Sequence, residues 1–209
     1  MIEKKDYYML GLGNINMMNL DPYYLHATGW FRGQHNLDNN IIKILEDGMI
    51  LTQDSKKDCG GSYQISPNVI CLCDPQLHDG FNDLYLSSLE NFVYYAPSLA
   101  FNRKLNVFKT ELELDPIESE LYSHMNDEVR YKGDLNLDNL EFVGFPIWDE
   151  IRHSPYNYED TIYNLEIFRA NIKMIAQCFP HIIVKDIISG KNITSKDVEK
   201  KIKVYQKVK

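Results

Sequence analysis

Apolar and polar positions along the chain predict a mixed set of short strands and a few helices. YYLHAT, residues 23–28, reads as a strand, with a Pro turn before it and Gly29 after it. In LDNNIIKILEDG, Ile41, Ile42 and Leu45 fall on one helical face. Asp38 can cap that helix and Gly48 can end it. MILTQ follows as a short strand, and DSKKDCGGSYQISP, with its paired glycines, as a loop. NVICLCD is a continuous apolar run that suits a central strand. GFNDLYLSSLENFVYY reads as a helix, broken by Pro97. SLAFNR and NVFKTELEL alternate as strands do, DPIESELYSHMND is a turn and short helix, and EVRYKGDL and LEFVGFPIW are further strands.

The pattern changes after about Ile151. YNYEDTIYNLEIFRANIKMIAQCF carries Ile162, Leu165, Phe168, Ile172 and Ile175 at helical spacing. HIIVKDI is a strand. TSKDVEKKIKVYQKVK is a basic terminal helix or frayed tail whose lysines read first as a solvated face and second as a contact for nucleic acid or an acidic partner. Strands and helices are not strictly alternated, so the expected class is α+β. Residues 1–150 form the main domain, and 151–209 a C-terminal helical segment packed on or next to it.

Composition narrows the function classes. The 209 residues suffice for one domain with a sizeable core, and an apolar fraction of 44% argues against wholesale disorder. A net charge of -8 disfavours general nucleic-acid binding, which draws on Lys and Arg for phosphate contacts. The N-terminal apolar run is too short for a signal segment, and no stretch approaches the ~20 apolar residues of a membrane span. The expectation is a soluble cytoplasmic protein, or one delivered into another cell's cytoplasm, with no membrane partner. Cys71 and Cys73 would point to one face of their strand, and paired Cys-x2-Cys motifs are lacking, so reduced thiols are expected rather than a zinc site. GLGNIN, residues 11–16, lacks the third glycine and the strand–helix context of a dinucleotide fingerprint and reads as a loop.

Three features carry candidate chemistry. His26-Ala27-Thr28-Gly29 ends the first strand, Tyr63 precedes and Tyr85 follows the VICLCD strand, and Glu128 opens a later strand. Each alone has an ordinary explanation: a core histidine, two of fourteen tyrosines, an exposed carboxylate. In this order, residues 24–146 resemble the ADP-ribosyltransferase superfamily, in the His-Tyr-Glu branch with diphtheria-type toxins and poly(ADP-ribose) polymerases. Leu25-His26-Ala27-Thr28 stands where the family has a motif like Tyr-His-Gly-Thr. IIKILEDGMILT is similar to its helix–glycine–strand segment, VICLCD to the next strand, and EVRYKGDLNLDNLEFVGF to the strand opened by the family's glutamate.

The resemblance implies a split mixed β-core with flanking helices, in which residues 1–150 bind NAD. It implies transfer of ADP-ribose from NAD to a macromolecule, a protein first and a nucleic-acid base second, with release of nicotinamide. Glu128 would bond the nicotinamide ribose and stabilise its oxocarbenium-like transition state. His26 would bond the adenosine ribose, the Ala27 backbone the nicotinamide carboxamide, and Thr28 would support the strand end. Tyr85, or in second place Tyr63, would stack on nicotinamide. Many arginine-modifying relatives carry Glu-x-Glu; here Asn126 stands two before Glu128, which disfavours an arginine target, and Glu118-Ser119-Glu120 has the spacing in a predicted helix or turn. Toxin, secreted effector and phage-defence roles are all compatible. Three alternatives stay open. One is a non-catalytic binding or immunity protein on a degenerate version of the fold. Another is an RNA 2'-phosphotransferase-like NAD enzyme gripping phosphate with Arg32, Arg103 or Arg130. The last is a cysteine hydrolase pairing Cys71 or Cys73 with His26 or His78.

Overall fold

The computed structural model describes residues 18–28, 30–31, 34–35, 40–52, 69–77, 93–108 and 127–207. The chain opens with β1 (Tyr23–Ala27), β2 (Trp30–Phe31) and β3 (Gln34–His35), then α1 (Asn40–Asp47) and β4 (Met49–Ile50). β5 (Val69–Cys73), β6 (Ser98–Asn102), β7 (Val107–Phe108), β8 (Glu128–Lys132), β9 (Leu135–Asn136) and β10 (Leu140–Phe145) follow. The C-terminal part is α2 (Tyr158–Cys178), β11 (Val184–Asp186) and α3 (Ser195–Gln206). Seven strands form one sheet in the order β11-β10-β6-β1-β5-β8-β7. Its pairings are antiparallel except β10 with β11, so the α+β class holds with a mixed sheet.

Most elements lie where the pattern puts them, and the exceptions have physical reasons. Ile41, Ile42 and Leu45 are buried from α1, and Gly48 ends that helix at φ 68°, a left-handed conformation that glycine enters at no steric cost. The β2/β3 hairpin stands between β1 and α1, where a helix was expected to follow directly. β11 pairs with β10, so the C-terminal segment also contributes an edge strand to the main sheet. On α2 the buried face runs through Thr161, Asn164, Leu165, Phe168, Asn171, Ile172 and Ile175, while Ile162 is only half-buried. Phe168 packs against Phe145 at 5.5 Å between ring centroids and against Trp148 at 6.4 Å, fixing α2 to the end of β10. α3 is a formed helix with Thr194 and Asp197 in a reciprocal capping box. It buries Val198, Ile202 and Tyr205, and the Tyr205 hydroxyl donates to the Trp148 carbonyl. Several of its lysines meet nearby acids, Lys200 with Asp197, Lys203 with Glu199 and Lys201 with Asp149.

The sheet is unevenly laced. β1 pairs with β6 at five positions, from Tyr23↔Asn102 to Ala27↔Ser98, and β5 pairs with β8 at five, from Val69↔Lys132 to Cys73↔Glu128. Between these halves β1 and β5 pair at one position, Leu25↔Cys73. The expected helix over residues 80–95, the strand over 106–114 and the turn and helix over 115–127 fall mostly outside the described residues, and the loop 54–67, Gly11–Asn16, Gly29, Asp38 and Cys59 fall wholly outside them.

Candidate functional site

The seam between β1 and β5 brings most of the described candidates together. The Thr28 N–H donates to the Pro97 carbonyl at 2.8 Å, which turns that N–H toward β6. Peptide groups alternate in direction along a strand, so those of Ala27 turn toward β5. Continuing the Leu25↔Cys73 register would set Ala27 opposite Cys71, but the pairing ends before it. The Cys71 carbonyl instead bonds His26 Nδ1 at 3.0 Å. A carbonyl only accepts, so Nδ1 carries the hydrogen and, in the neutral ring, Nε2 is the acceptor. Burial lowers the His26 pKa, partly opposed by this bond, which favours the neutral ring. Thr28 is buried, and its hydroxyl donates to the same Pro97 carbonyl at 3.2 Å, tying the end of β1 to the start of β6.

Side-chain bonds reinforce the sparse ladder at the other end of β1. Arg103, just after β6, reaches across the start of β1 to Asp74, just after β5, with Nη1–Oδ2 at 2.9 Å and Nη2–Oδ1 at 2.5 Å. Its Nε donates to the Asp21 carbonyl, and its guanidinium lies 4.6 Å from the Tyr24 ring centroid.

Glu128 opens β8, as expected, but as a buried, paired carboxylate rather than an exposed one. Its side chain is 8% exposed and Oε1 accepts from Arg130 Nε at 3.1 Å. The Cys71 thiol stands on the same face of β5, diagonal to Glu128 across the β5–β8 ladder. Burial raises the Glu128 pKa above the usual carboxylate value; Arg130 and the Cys71 thiol oppose the rise, and Asp127 adds to it. Asp127 is buried next door and accepts from the Cys73 thiol at 3.5 Å. Cys71 is thus the common neighbour of two candidates, bonding His26 through its carbonyl and standing diagonal to Glu128 across the β5–β8 ladder. By alternation the Glu128 side chain shares a face with those of Leu25 and Ala27, and His26 belongs to the opposite face, its ring bonded to the edge of β5.

His26, Ala27 and Thr28 therefore lie in a row at the end of β1 beyond its one register position with β5, with Glu128 one strand beyond. Tyr63, Tyr85, His78, Glu118, Glu120, Asn126 and Arg32 lie outside the described residues. Arg130 and Cys71 are the neighbours that strand pattern alone did not assign to Glu128. The signal for Arg130 was its place two residues along the same strand. Among the described residues no cluster of His, Cys, Asp and Glu could hold a metal, and no helix is long and apolar enough to cross a membrane. Burial and nearby acids push the Cys71 thiol up to about 12 and the Cys73 thiol well above its usual value, and His26 bonds the Cys71 backbone, so neither thiol is set up as a hydrolase nucleophile. No protein-family model, curated protein or solved structure matches the chain.

Proposed function

We propose that the protein transfers ADP-ribose from NAD to a macromolecular acceptor and releases nicotinamide. The observation that carries this is that β1 and β5 pair at Leu25↔Cys73 and the register stops short of Ala27, whose peptide groups turn toward β5 beside His26. A carboxamide bound there would meet a backbone donor and acceptor at fixed spacing. His26 Nε2 would accept from a ribose hydroxyl, and Glu128, across Cys71, would face the cation that grows as the glycosidic bond breaks. The acceptor is a protein first and a nucleic-acid base second, because the acidic balance disfavours phosphate contacts.

A binding or immunity protein on the same framework is the second reading, favoured by the Glu128–Arg130 pairing and its low exposure. Phosphate transfer from RNA is disfavoured, since Arg103 is held by Asp74 and Arg130 is buried beside Glu128. NAD labelled in its adenylate half, incubated with the protein and a cell extract, tests the transfer. Label made soluble by protease supports a protein acceptor, and label released by nuclease a nucleic-acid one. No NAD-dependent incorporation, together with unchanged thermal stability in NAD, would favour the binding-protein reading.

A further inference from the structure

Arg130 lies two residues beyond Glu128 on β8, so strand alternation sets both side chains on one face. Across the ladder Cys73 stands opposite Glu128 and Cys71 opposite Arg130. The groups acting on the carboxylate are Arg130 from its own strand, Asp127 from the preceding residue and the Cys71 thiol from β5; the Cys73 thiol bonds Asp127. Arg130 is 1% exposed, with its Nε on Glu128 Oε1.

We propose that Arg130 is the positioning residue of Glu128, anchoring Oε1 so that the remaining acceptor positions of the carboxylate are presented in one fixed orientation. This rests on the reading of Glu128 as the group that stabilises the ribose cation. A carboxylate has about four acceptor positions, so the bond from Arg130 leaves capacity for a ribose hydroxyl. Guanidinium suits the task because its N–H groups have fixed directions, whereas an ammonium supplies charge without direction. The same contact favours the ionised carboxylate, which a stabiliser of positive charge must be, against the burial and the Asp127 charge that disfavour it.

The test is a carbon-13 titration of the Glu128 carboxyl in the full chain, wild type beside Arg130→Gln and Arg130→Lys, with the pH profile of nicotinamide release measured on the same samples. The expected result is a Glu128 midpoint at least one pH unit higher in Arg130→Gln, tenfold in proton affinity. Lysine should restore more than half of that shift, and the acidic limb of the release profile should move with the midpoint. An unmoved midpoint in folded Arg130→Gln overturns the proposal, as does a plateau rate of release equal to that of wild type. Should Arg130→Gln fail to fold, a folded Glu128→Gln/Arg130→Gln chain supports the coupling, while a double variant that also fails assigns Arg130 to packing alone. A midpoint that moves in a chain that releases no nicotinamide retains the Arg130–Glu128 coupling and overturns the NAD reading instead.

Discussion

Exchanging the Glu128 carboxylate for an amide acts twice. It removes the charge proposed to face the ribose cation, and it leaves the Arg130 guanidinium buried beside a neutral group. Breaking a buried pair from one side costs about 3 kcal/mol or more, so Glu128→Gln should lower the urea midpoint as well as the activity. His26 gives a pH signature. Its pKa is lowered in the folded chain, so below its ordinary value of 6.5 the unfolded chain binds a proton that the folded chain resists. Stability from this group is fully present above pH 6.5 and is lost as pH falls through the lowered folded value. Urea unfolding of wild type and His26→Gln between pH 7 and 5 checks this, with a shallower decline expected in the variant. Glu128 and Asp186, whose carboxyl pKa values burial raises, have the opposite sign, since ionising them costs stability as pH rises. At this scale the positions of His26 and Glu128 on strands were legible from the pattern. Their shared neighbour Cys71 was not, because contacts across strands depend on a register that a single strand's pattern does not encode.

The seam is a property of elements. With one ladder position joining β1 to β5, the Arg103–Asp74 pair is one of the side-chain ties between the two halves, beside His26–Cys71 and Gln76–Asp21. Arg103→Met should cost about 2 kcal/mol, less than a fully buried pair because Arg103 is 25% exposed. Amide exchange should speed up at Leu25 and Cys73 more than along the β1–β6 ladder; equal acceleration in both would contradict the picture. The capping box of α3 gives an independent check, with Thr194→Ala expected to lower stability by about 1 kcal/mol in thermal or urea unfolding. Helical periodicity found α1, α2 and α3 with little error. It missed part of the buried face of α2 because Thr161, Asn164 and Asn171 are polar residues in buried positions, and apolar spacing cannot register them. The β2/β3 hairpin escaped because two-residue strands carry no period.

For the whole molecule, NAD should stabilise the fold. At one hundred times the dissociation constant, binding contributes about 2.7 kcal/mol, roughly 5–10 °C in Tm for a chain of this size. The stabilisation should shrink in His26→Gln and persist in Thr194→Ala. The class and the place along the chain of most strands of the main sheet were readable in advance; their order in the sheet and the acceptor were not, since neither is encoded in periodicity. The most direct test of the central claim is nicotinamide release from NAD by the purified chain beside a folded Glu128→Gln. The account predicts release by wild type that falls at least 100-fold in the variant, about 2.7 kcal/mol of transition-state stabilisation. Equal release by both chains, or no release and no stabilisation by NAD, would contradict it.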